Sequence, residues 1–201
     1  AIGGLGKGHL VREIDALDGL MARAIDSSGI QFRMLNRSRG PAVHGPRSQA
    51  DRKLYKKSIN LLLKQQENLS IIEGTIKDLK ITNKEIKGVV LQNDEVYFCK
   101  SVVLTTGTFL GGIIHIGDEK ISAGRIGDKS SEILAKKIRQ LGLPIGRLKT
   151  GTPPRLEKSS IDWKKVEMQS ADPVPVPFSF LNSDIKVKQI ECGITRTNIH
   201  T

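Results

Sequence analysis

The chain has 201 residues, of which 38% are hydrophobic and 26% are charged, as is usual for a soluble globular protein. No apolar stretch approaches the roughly 20 residues that cross a bilayer, and two cysteines are too few for a disulfide framework. We therefore expect no membrane span and a reducing interior compartment. The 32 Lys and Arg residues against 21 Asp and Glu residues give a formal net charge of +11, which favours a polyanionic partner such as nucleic acid. A basic proteome, or a basic part of a neutral protein, explains the surplus equally well.

The first third of the chain alternates between loops and helices. Glycines dominate residues 1–9 (AIGGLGKGH), which we predict to be a flexible loop. Apolar residues at helical spacing then predict one helix over residues 10–25, followed by a short strand over residues 31–35. The basic stretch 36–49 carries glycines and prolines and is predicted to be a loop. A second helix is predicted from about residue 49 to residue 66.

After residue 66 the hydrophobic period changes from helical to strand-like. Short β segments separated by turn residues predict an antiparallel meander, and they cover residues 71–72, 76–81, 86–91 and 96–99. The apolar run at residues 102–104 predicts a buried, parallel strand. A helix is expected near residues 130–141, and residues 147–152 begin a strand or loop that two prolines end.

Together these elements predict an α/β chain with an antiparallel β insertion. This pattern is typical of the later part of a dinucleotide-binding fold that lacks its first strand. Prolines at positions 173, 175 and 177 indicate the beginning of a second, more irregular domain. Because the chain starts without Met inside a glycine loop and stops without a cap, we expect both ends to be cuts through a longer protein.

Two glycine-bearing segments are candidate ligand sites. The loop that contains Gly3, Gly4 and Lys7 lacks the spacing of a P-loop and of a G-x-G-x-x-G fingerprint. It can still bring backbone N–H groups and Lys7 to a planar or anionic ligand, and a plain surface loop is an equal alternative. Gly107 follows the predicted buried strand and would let a nucleotide approach the backbone, with the hydroxyls of Thr106 and Thr108 beside it. An ordinary strand-to-loop glycine is the alternative there.

Basic residues concentrate in two loop clusters. Arginine binds phosphate bidentately, and binding residues are common in loops, although most charge runs are merely solvated. The first cluster comprises Arg37, Arg39, His44, Arg47, Arg52 and Lys53, and the second comprises Arg147, Lys149 and Arg155. The four histidines lack metal-ligand spacing, so no metal site is predicted. Structural roles are predicted for Cys99 and Cys192.

Six segments in collinear order resemble one known family. They are AIGGLGKGHL, residues 36–52, LTTGTFLGG, IHIG, AGRIGD and GRLKTGTPPR. On these motifs the chain resembles the MnmG (GidA) family, the flavoprotein half of the complex that modifies the wobble uridine of tRNA with a carboxymethylaminomethyl group. The resemblance covers essentially the whole chain and identifies it as an internal, N-proximal fragment, which we expect to be inactive alone.

The resemblance implies a domain organisation and a set of partners. Residues 1–150 would belong to a Rossmann-like FAD-binding domain of the two-dinucleotide-binding type, without its first βαβ strand and G-x-G-x-x-G and with a β insertion at about residues 71–99. Residues 151–201 would start an inserted second domain. The implied cofactor is FAD, with NADH, methylenetetrahydrofolate and glycine or ammonium as co-substrates. The implied partners are tRNA and the GTPase MnmE, within a heterotetramer that contains a homodimer of this protein. The implied location is the cytoplasm, or mitochondria in a eukaryote.

The family motifs also imply site residues. The cofactor would contact Ile76, Thr106, Gly107, Thr108 and Ser131, which we expect to converge on one groove, with Ile76 presenting its backbone to the adenine. The loop with Gly3, Gly4 and Lys7 would lie near the isoalloxazine ring. A continuous basic surface for tRNA would comprise Arg39, Arg47, Arg147, Lys149 and Arg155. No catalytic residue is assigned, because the functional cysteines of the family precede and follow this chain, and Cys192 matches a different family cysteine.

Two other functions are alternatives. The folate-dependent tRNA methyltransferase TrmFO family has similar flavin chemistry, but its members lack the GRLKTGTPPR and NRSRGPAV-type segments. A non-catalytic module that binds RNA or docks a partner is the second alternative. Flavin absorbance of the full-length protein separates such a module from an enzyme.

Overall fold

The computed structural model describes residues 1–151 and 153–199 and divides the chain into two compact units. The first unit combines Ala1–Leu69 with Pro154–Thr201, and the second unit is Ser70–Pro153. The sequence predicted a domain division near residue 150, and that division stays a prediction.

Helices and strands alternate irregularly along the chain. In order they are β1 (Ile2–Gly3), α1 (Lys7–Ala16), α2 (Leu20–Asp26), β2 (Gly29–Leu35), β3 (Gly45–Ala50), α3 (Arg52–Lys64), β4 (Ile76–Thr82), β5 (Glu85–Leu91), β6 (Val96–Phe98), β7 (Ile113–Ile116), β8 (Glu119–Ser122), α4 (Glu132–Gln140), β9 (Glu167–Gln169) and β10 (Cys192–Ile194). Short 3-10 turns lie at Pro41–Val43, Lys158–Ser160 and Trp163–Lys165. Every strand pair among the described residues is antiparallel.

The first unit is built on a three-stranded sheet in the order β1-β3-β2. Its core consists of buried apolar side chains from α1, α2, β2 and the C-terminal segment, namely Val11, Ala22, Ile25, Phe32 and Phe178. The rings of Phe32 and Phe178 lie 6.2 Å apart at an interplanar angle of 57°. Burial of these side chains supplies the main favourable free energy of folding for this unit.

The single helix predicted over residues 10–25 is wrong, because two helices occupy this stretch. Asp18 takes a left-handed conformation (φ 65°) between α1 and α2, and the Gly19 N–H turns back to the Ile14 carbonyl at 2.8 Å. The helices therefore bury Val11 and Ile25, whereas Leu17 is 85% exposed. The tight turn at Asp18-Gly19 ends the first helix early, so the buried residues are not the apolar face of one continuous helix that the sequence predicted.

The loop predicted over residues 36–49 is also partly wrong. Residues Gly45–Ala50 form β3, the central strand of the sheet, which pairs with β1 on one side and β2 on the other. The carbonyl of Pro46 accepts a hydrogen bond of 2.8 Å from the N–H of Gly4. Long-range pairing on both edges thus overrides the local turn preference of the Gly-Pro pair.

The second unit confirms the predicted antiparallel meander, since β4, β5 and β6 form one sheet in sequence order. The predicted strand at residues 71–72 is absent, and Ile71 is 68% exposed. Helix α4 packs against β4, where Lys137 forms an ion pair of 3.0 Å with Asp78.

The predicted buried strand at residues 102–104 is wrong in this structure. These residues belong to no strand, and Val103 is 83% exposed. A parallel strand needs a neighbour that satisfies its backbone groups, and no described residue pairs with this run. The apolar composition of the run is therefore not matched by burial within the second unit.

Candidate functional site

The glycine loop at the start of the first unit has a conformation that requires glycine. Gly3 has φ 87°, and a Cβ atom built on it would lie 2.1 Å from the Pro46 carbonyl oxygen and 2.7 Å from the Phe178 ring. Gly4 has φ 104°, also in the left-handed region. Any side chain at Gly3 would therefore displace β3 or Phe178.

Several backbone N–H groups of this loop are already used inside it. The Gly4 N–H donates to Pro46, the Lys7 N–H donates to the Leu5 carbonyl at 2.9 Å, and the Gly8 N–H donates to the Gly4 carbonyl at 2.7 Å. These donors are not available to a phosphate. Lys7 is the first residue of α1, and its side chain is exposed. An anion at this loop would therefore be bound by the Lys7 ammonium group rather than by a set of free backbone N–H groups.

The loop Thr106-Gly107-Thr108, which we call the Thr-Gly-Thr loop, makes a tight turn in the second unit. The Phe109 N–H donates to the Thr106 carbonyl at 3.2 Å, and Gly107 has φ 57°. No heavy atom lies within 4 Å of the position that a Cβ of Gly107 would occupy. A planar or phosphate-bearing group can therefore approach the Gly107 backbone closely, so the residues present fit the dinucleotide cofactor that the motifs imply.

The carbonyl of Phe109 joins this loop to the start of α4. It accepts a hydrogen bond of 2.9 Å from the Ser131 N–H and one of 3.3 Å from the Ser130 hydroxyl. Thr108 and Ser131, which the motifs predicted to share a site, are thus held beside each other in space. Sequence reasoning missed Phe109, because a carbonyl that organises a loop leaves no signal in the residue type.

Ser131 stands at the N-cap of α4, but its side chain makes no capping hydrogen bond. Its hydroxyl therefore has no structural task at the helix start, where an acceptor for the free N–H groups is usual. Ser130 differs, because its hydroxyl is bonded to Phe109. The half-exposed hydroxyl of Ser131 can serve a ligand.

Ile76 opens β4 and lies opposite Leu91 of β5. Since α4 packs against β4, Ile76 and Ser131 lie on adjoining elements of the second unit. The Thr-Gly-Thr loop is joined to the start of the same helix by the hydrogen bond from the Ser131 N–H to the Phe109 carbonyl. The convergence of all five residues on one groove stays a prediction.

Arg39 lies in a loop whose backbone is held by hydrogen bonds from the side chains of Asn36 and His44. The Asn36 amide donates to the Val43 carbonyl at 3.2 Å, and a His44 ring nitrogen, Nε2, lies 2.9 Å from the Arg39 carbonyl. These bonds hold the backbone and leave the Arg39 side chain exposed. Arg47 lies on β3, opposite Gly3 on one side and Arg33 on the other.

The second basic cluster is exposed. Arg147 donates a hydrogen bond of 3.1 Å to the Gly111 carbonyl, which ties it to the turn after the Thr-Gly-Thr loop. Lys149 and Arg155 are exposed. Within residues 1–151 and 153–199, none of Arg39, Arg47, Arg147, Lys149 and Arg155 forms an ion pair. Unpaired cations of this kind are free to meet phosphate.

A buried carboxylate anchors the C-terminal segment of the first unit. Asp26 is buried and accepts hydrogen bonds from the N–H groups of Phe178 (2.7 Å) and Ser179 (2.9 Å) and from the Asn182 amide (2.9 Å). Burial raises the pKa of Asp26 above its ordinary value, although these hydrogen bonds act in the opposite direction. This carboxylate has a structural role, because both of its oxygens accept hydrogen bonds from the C-terminal segment.

The described cysteines and histidines form no cluster that could bind a metal. The Cys192 thiol donates to the Gln31 side-chain oxygen at 3.1 Å, and Cys99 is half-buried after β6. In the part of the chain that the structure describes, no group of three or more His, Cys, Asp or Glu side chains could hold a metal ion. No described helix combines the length and the hydropathy of a transmembrane segment.

Comparison with solved structures defines the class of fold. The chain superposes on Aquifex aeolicus GidA, in each of two crystal forms, with a TM-score of 0.87 and 43% identity, over 96% of this chain and 33% of that chain. The predicted fold class, part of an α/β, Rossmann-like FAD-binding domain with an antiparallel insertion, is confirmed by this match.

The family follows from the sequence comparisons. A family model described as glucose inhibited division protein A matches residues 1–201, so the chain belongs to the GidA family. It is 54% identical over 204 aligned residues to the tRNA uridine 5-carboxymethylaminomethyl modification enzyme MnmG of Granulibacter bethesdensis. It is 50% identical to the enzyme of the same name from Thermodesulfovibrio yellowstonii. Both alignments cover the whole chain but only 32% of the relative, so the chain spans about a third of the length of these relatives.

Proposed function

We propose that the full-length protein containing this chain is an FAD-dependent enzyme that adds a carboxymethylaminomethyl group to carbon 5 of the wobble uridine of tRNA. The observation that carries this proposal is the 54% identity, along the whole chain, to a relative named for that modification. All six sequence motifs fall inside that alignment.

The cofactor site of the proposal lies in the second unit. Ile76, Thr106, Gly107, Thr108 and Ser131 hold FAD, with the open backbone at Gly107 and the uncapped hydroxyl of Ser131 in support. Bound FAD supplies the reductive step of the modification. The protein's task is to bind and orient the cofactor and the uridine and to exclude water.

We also propose that Gly3, Gly4 and Lys7 of the glycine loop lie near the isoalloxazine ring of FAD. Gly3 and Gly4 give a backbone without side chains, against which a flat ring system can lie. Lys7 adds a positive charge at the start of α1. Such a charge stabilises negative charge on a reduced ring system.

The residues that we propose to bind tRNA are Arg39, Arg47, Arg147, Lys149 and Arg155. An enzyme that acts on one base must hold the flanking phosphates while that base reaches the active site. Their lack of ion-pair partners among the described residues supports this role. Arg147 uses one of its five N–H donors for Gly111 and keeps the others for phosphate.

The remaining components belong to the full-length protein. NADH serves as reductant, and methylenetetrahydrofolate with glycine or ammonium supplies the added group. The GTPase MnmE acts as partner in a heterotetramer with a homodimer of this protein, in the cytoplasm or, in a eukaryote, in mitochondria.

The proposal is tested with the purified full-length protein. Its visible spectrum is recorded, and tRNA is titrated into it in the presence of MnmE. We expect a flavin spectrum and saturable tRNA binding. A colourless protein that binds tRNA would support the non-catalytic module instead. A flavoprotein that converts a uridine of the tRNA to 5-methyluridine would support the TrmFO alternative.

A further inference from the structure

Helix α3 has an unusual charge composition. Its 13 residues carry five of the chain's 32 Lys and Arg residues and none of its 21 Asp and Glu residues. The five cations are Arg52, Lys53, Lys56, Lys57 and Lys64, and all of them are exposed.

These cations share one face of the helix. At about 100° per residue, all five fall within an arc of about 140°. The other side of α3 packs against the rest of the first unit. The hydroxyls of Ser58 and Ser27 share a hydrogen bond of 2.7 Å, and Tyr55 packs against the core. The other exposed residue in the basic arc is Asn60, and the half-buried Leu63 also lies within the arc, so the exposed surface is mostly polar. We call this surface the α3 basic face.

The position of the charges opposes helix stability. Four of the five cations lie in the first two turns, at the end where the helix dipole is positive. Arg52 and Lys56, like Lys53 and Lys57, stand four residues apart and repel each other. Within the described residues, none of the five has an ion-pair partner. Helix formation therefore does not explain this charge pattern.

Helix α4 of the second unit shows the contrasting arrangement. Its acidic residue, Glu132, is in the first turn, and Lys137 and Arg139 are in the last turn, as the dipole favours. Lys137 is also paired with Asp78. The same chain thus places basic residues at the favourable end of one helix and at the unfavourable end of the other.

We propose that the α3 basic face binds the phosphate backbone of RNA. The inference rests on the proposed function, in which tRNA is the substrate, and adds residues that the proposed tRNA-binding set does not contain. The helix is about 20 Å long, enough to contact several consecutive phosphates. A mostly polar, lysine-rich face suits sequence-independent phosphate contacts, whereas the centre of a protein interface is apolar and depleted in lysine.

The test uses the full-length protein with Lys53→Gln and Lys57→Gln combined. Binding of tRNA is measured over a series of salt concentrations. We expect the slope of log affinity against log salt to fall by about 1 to 2, and the affinity to fall about tenfold or more at 0.1 M salt. Lys57→Gln alone should give about half of the change in slope. The Lys53→Arg and Lys57→Arg double variant should bind as the wild type does.

The matched control removes two exposed lysines of the second unit, Lys84→Gln in the turn between β4 and β5 with Lys120→Gln in β8, and should leave the slope unchanged. FAD content should be unaltered in every variant. The α3 variant should unfold at the same temperature as the wild type or a higher one, because like-charge repulsion is removed.

Three results would overturn the inference. A wild-type slope and affinity in the Gln double variant would show that the α3 basic face does not contact RNA. The proposed function would still stand in that case, provided that the wild-type protein binds tRNA. Equal losses in the control variant would show an effect of net charge alone. A wild-type flavoprotein that bound no tRNA would remove the proposed function together with this inference.

Discussion

The carboxylate of Asp26 accepts a hydrogen bond of 2.7 Å from the backbone N–H of Phe178, a residue 152 positions later in the chain. This bond fastens the C-terminal segment of the first unit to the end of α2. It also places the Phe178 ring beside Gly3, where a Cβ atom would be only 2.7 Å away. The conformation of the glycine loop therefore depends on residues from both ends of the chain.

Asp26→Ala should lower the free energy of unfolding by about 2 to 6 kcal/mol. The substitution leaves the buried N–H groups of Phe178 and Ser179 without an acceptor, and each unsatisfied buried donor costs about 1 to 3 kcal/mol. Urea unfolding measures the change. The exposed Asp184→Ala serves as the control and should change the value by less than about 0.5 kcal/mol. Equal effects of the two substitutions would refute the anchoring role.

The pKa of Asp26 should also lie above its ordinary value. Burial raises its pKa, so the folded state favours the protonated form more than the unfolded state does. This contribution to stability is complete below the unfolded pKa of about 3.9 and is lost as the pH rises through the raised pKa of the folded state. Carboxyl NMR titration should place the Asp26 midpoint above 3.9. A midpoint below that value would show that the three hydrogen bonds outweigh burial.

Ser131→Ala should weaken FAD binding about two- to tenfold, the worth of one hydrogen bond, without lowering stability. Its hydroxyl makes no capping bond, so the substitution removes no hydrogen bond from the start of α4. Flavin fluorescence measures the affinity of the full-length protein. The control is Ser130→Ala, which removes the bond to Phe109 and should lower stability instead. Unchanged FAD affinity in the Ser131 variant would remove this residue from the cofactor site.

Arg39→Gln and Arg37→Gln should have different effects, although the two arginines lie two residues apart. Arg39 has no ion-pair partner among the described residues, so its loss should reduce the salt dependence of tRNA binding by about 1. Arg37 is paired at 2.7 Å with the largely buried carboxylate of Asp172, so its loss should cost about 1 kcal/mol of stability. Salt titrations and urea unfolding measure the two quantities. An Arg39 variant with the wild-type salt dependence would contradict the phosphate role.

Local pattern predicted the elements whose neighbours are close in sequence. The meander of β4, β5 and β6 follows from alternating residues and short turns, and α3 and α4 follow from their helical spacing. Strand β3 was missed, because its pairing with β1 and β2 depends on distant residues that override its Gly-Pro pair. The same limit applies to the first unit as a whole, since no local signal connects Asp26 with Phe178.

For the site, the motifs indicated which residue types to examine but not how they are held. The Phe109 carbonyl, which places Ser131 beside the Thr-Gly-Thr loop, has no signature in the sequence. The hydrogen bond from Arg147 to Gly111 is equally invisible in a basic loop. The basic composition of α3 could be read from the sequence. Its concentration on one exposed, unpaired face required the structure.

We propose that the full-length protein containing this chain is an FAD-dependent enzyme that modifies the wobble uridine of tRNA. The most direct test is mass analysis of tRNA nucleosides after incubation of unmodified tRNA with the full-length protein, MnmE, GTP, FAD, NADH, methylenetetrahydrofolate and glycine. We expect 5-carboxymethylaminomethyluridine at the wobble position, and none when FAD is omitted from protein stripped of flavin. Unmodified uridine in the complete reaction, from a protein that carries flavin and binds tRNA, would contradict the claim.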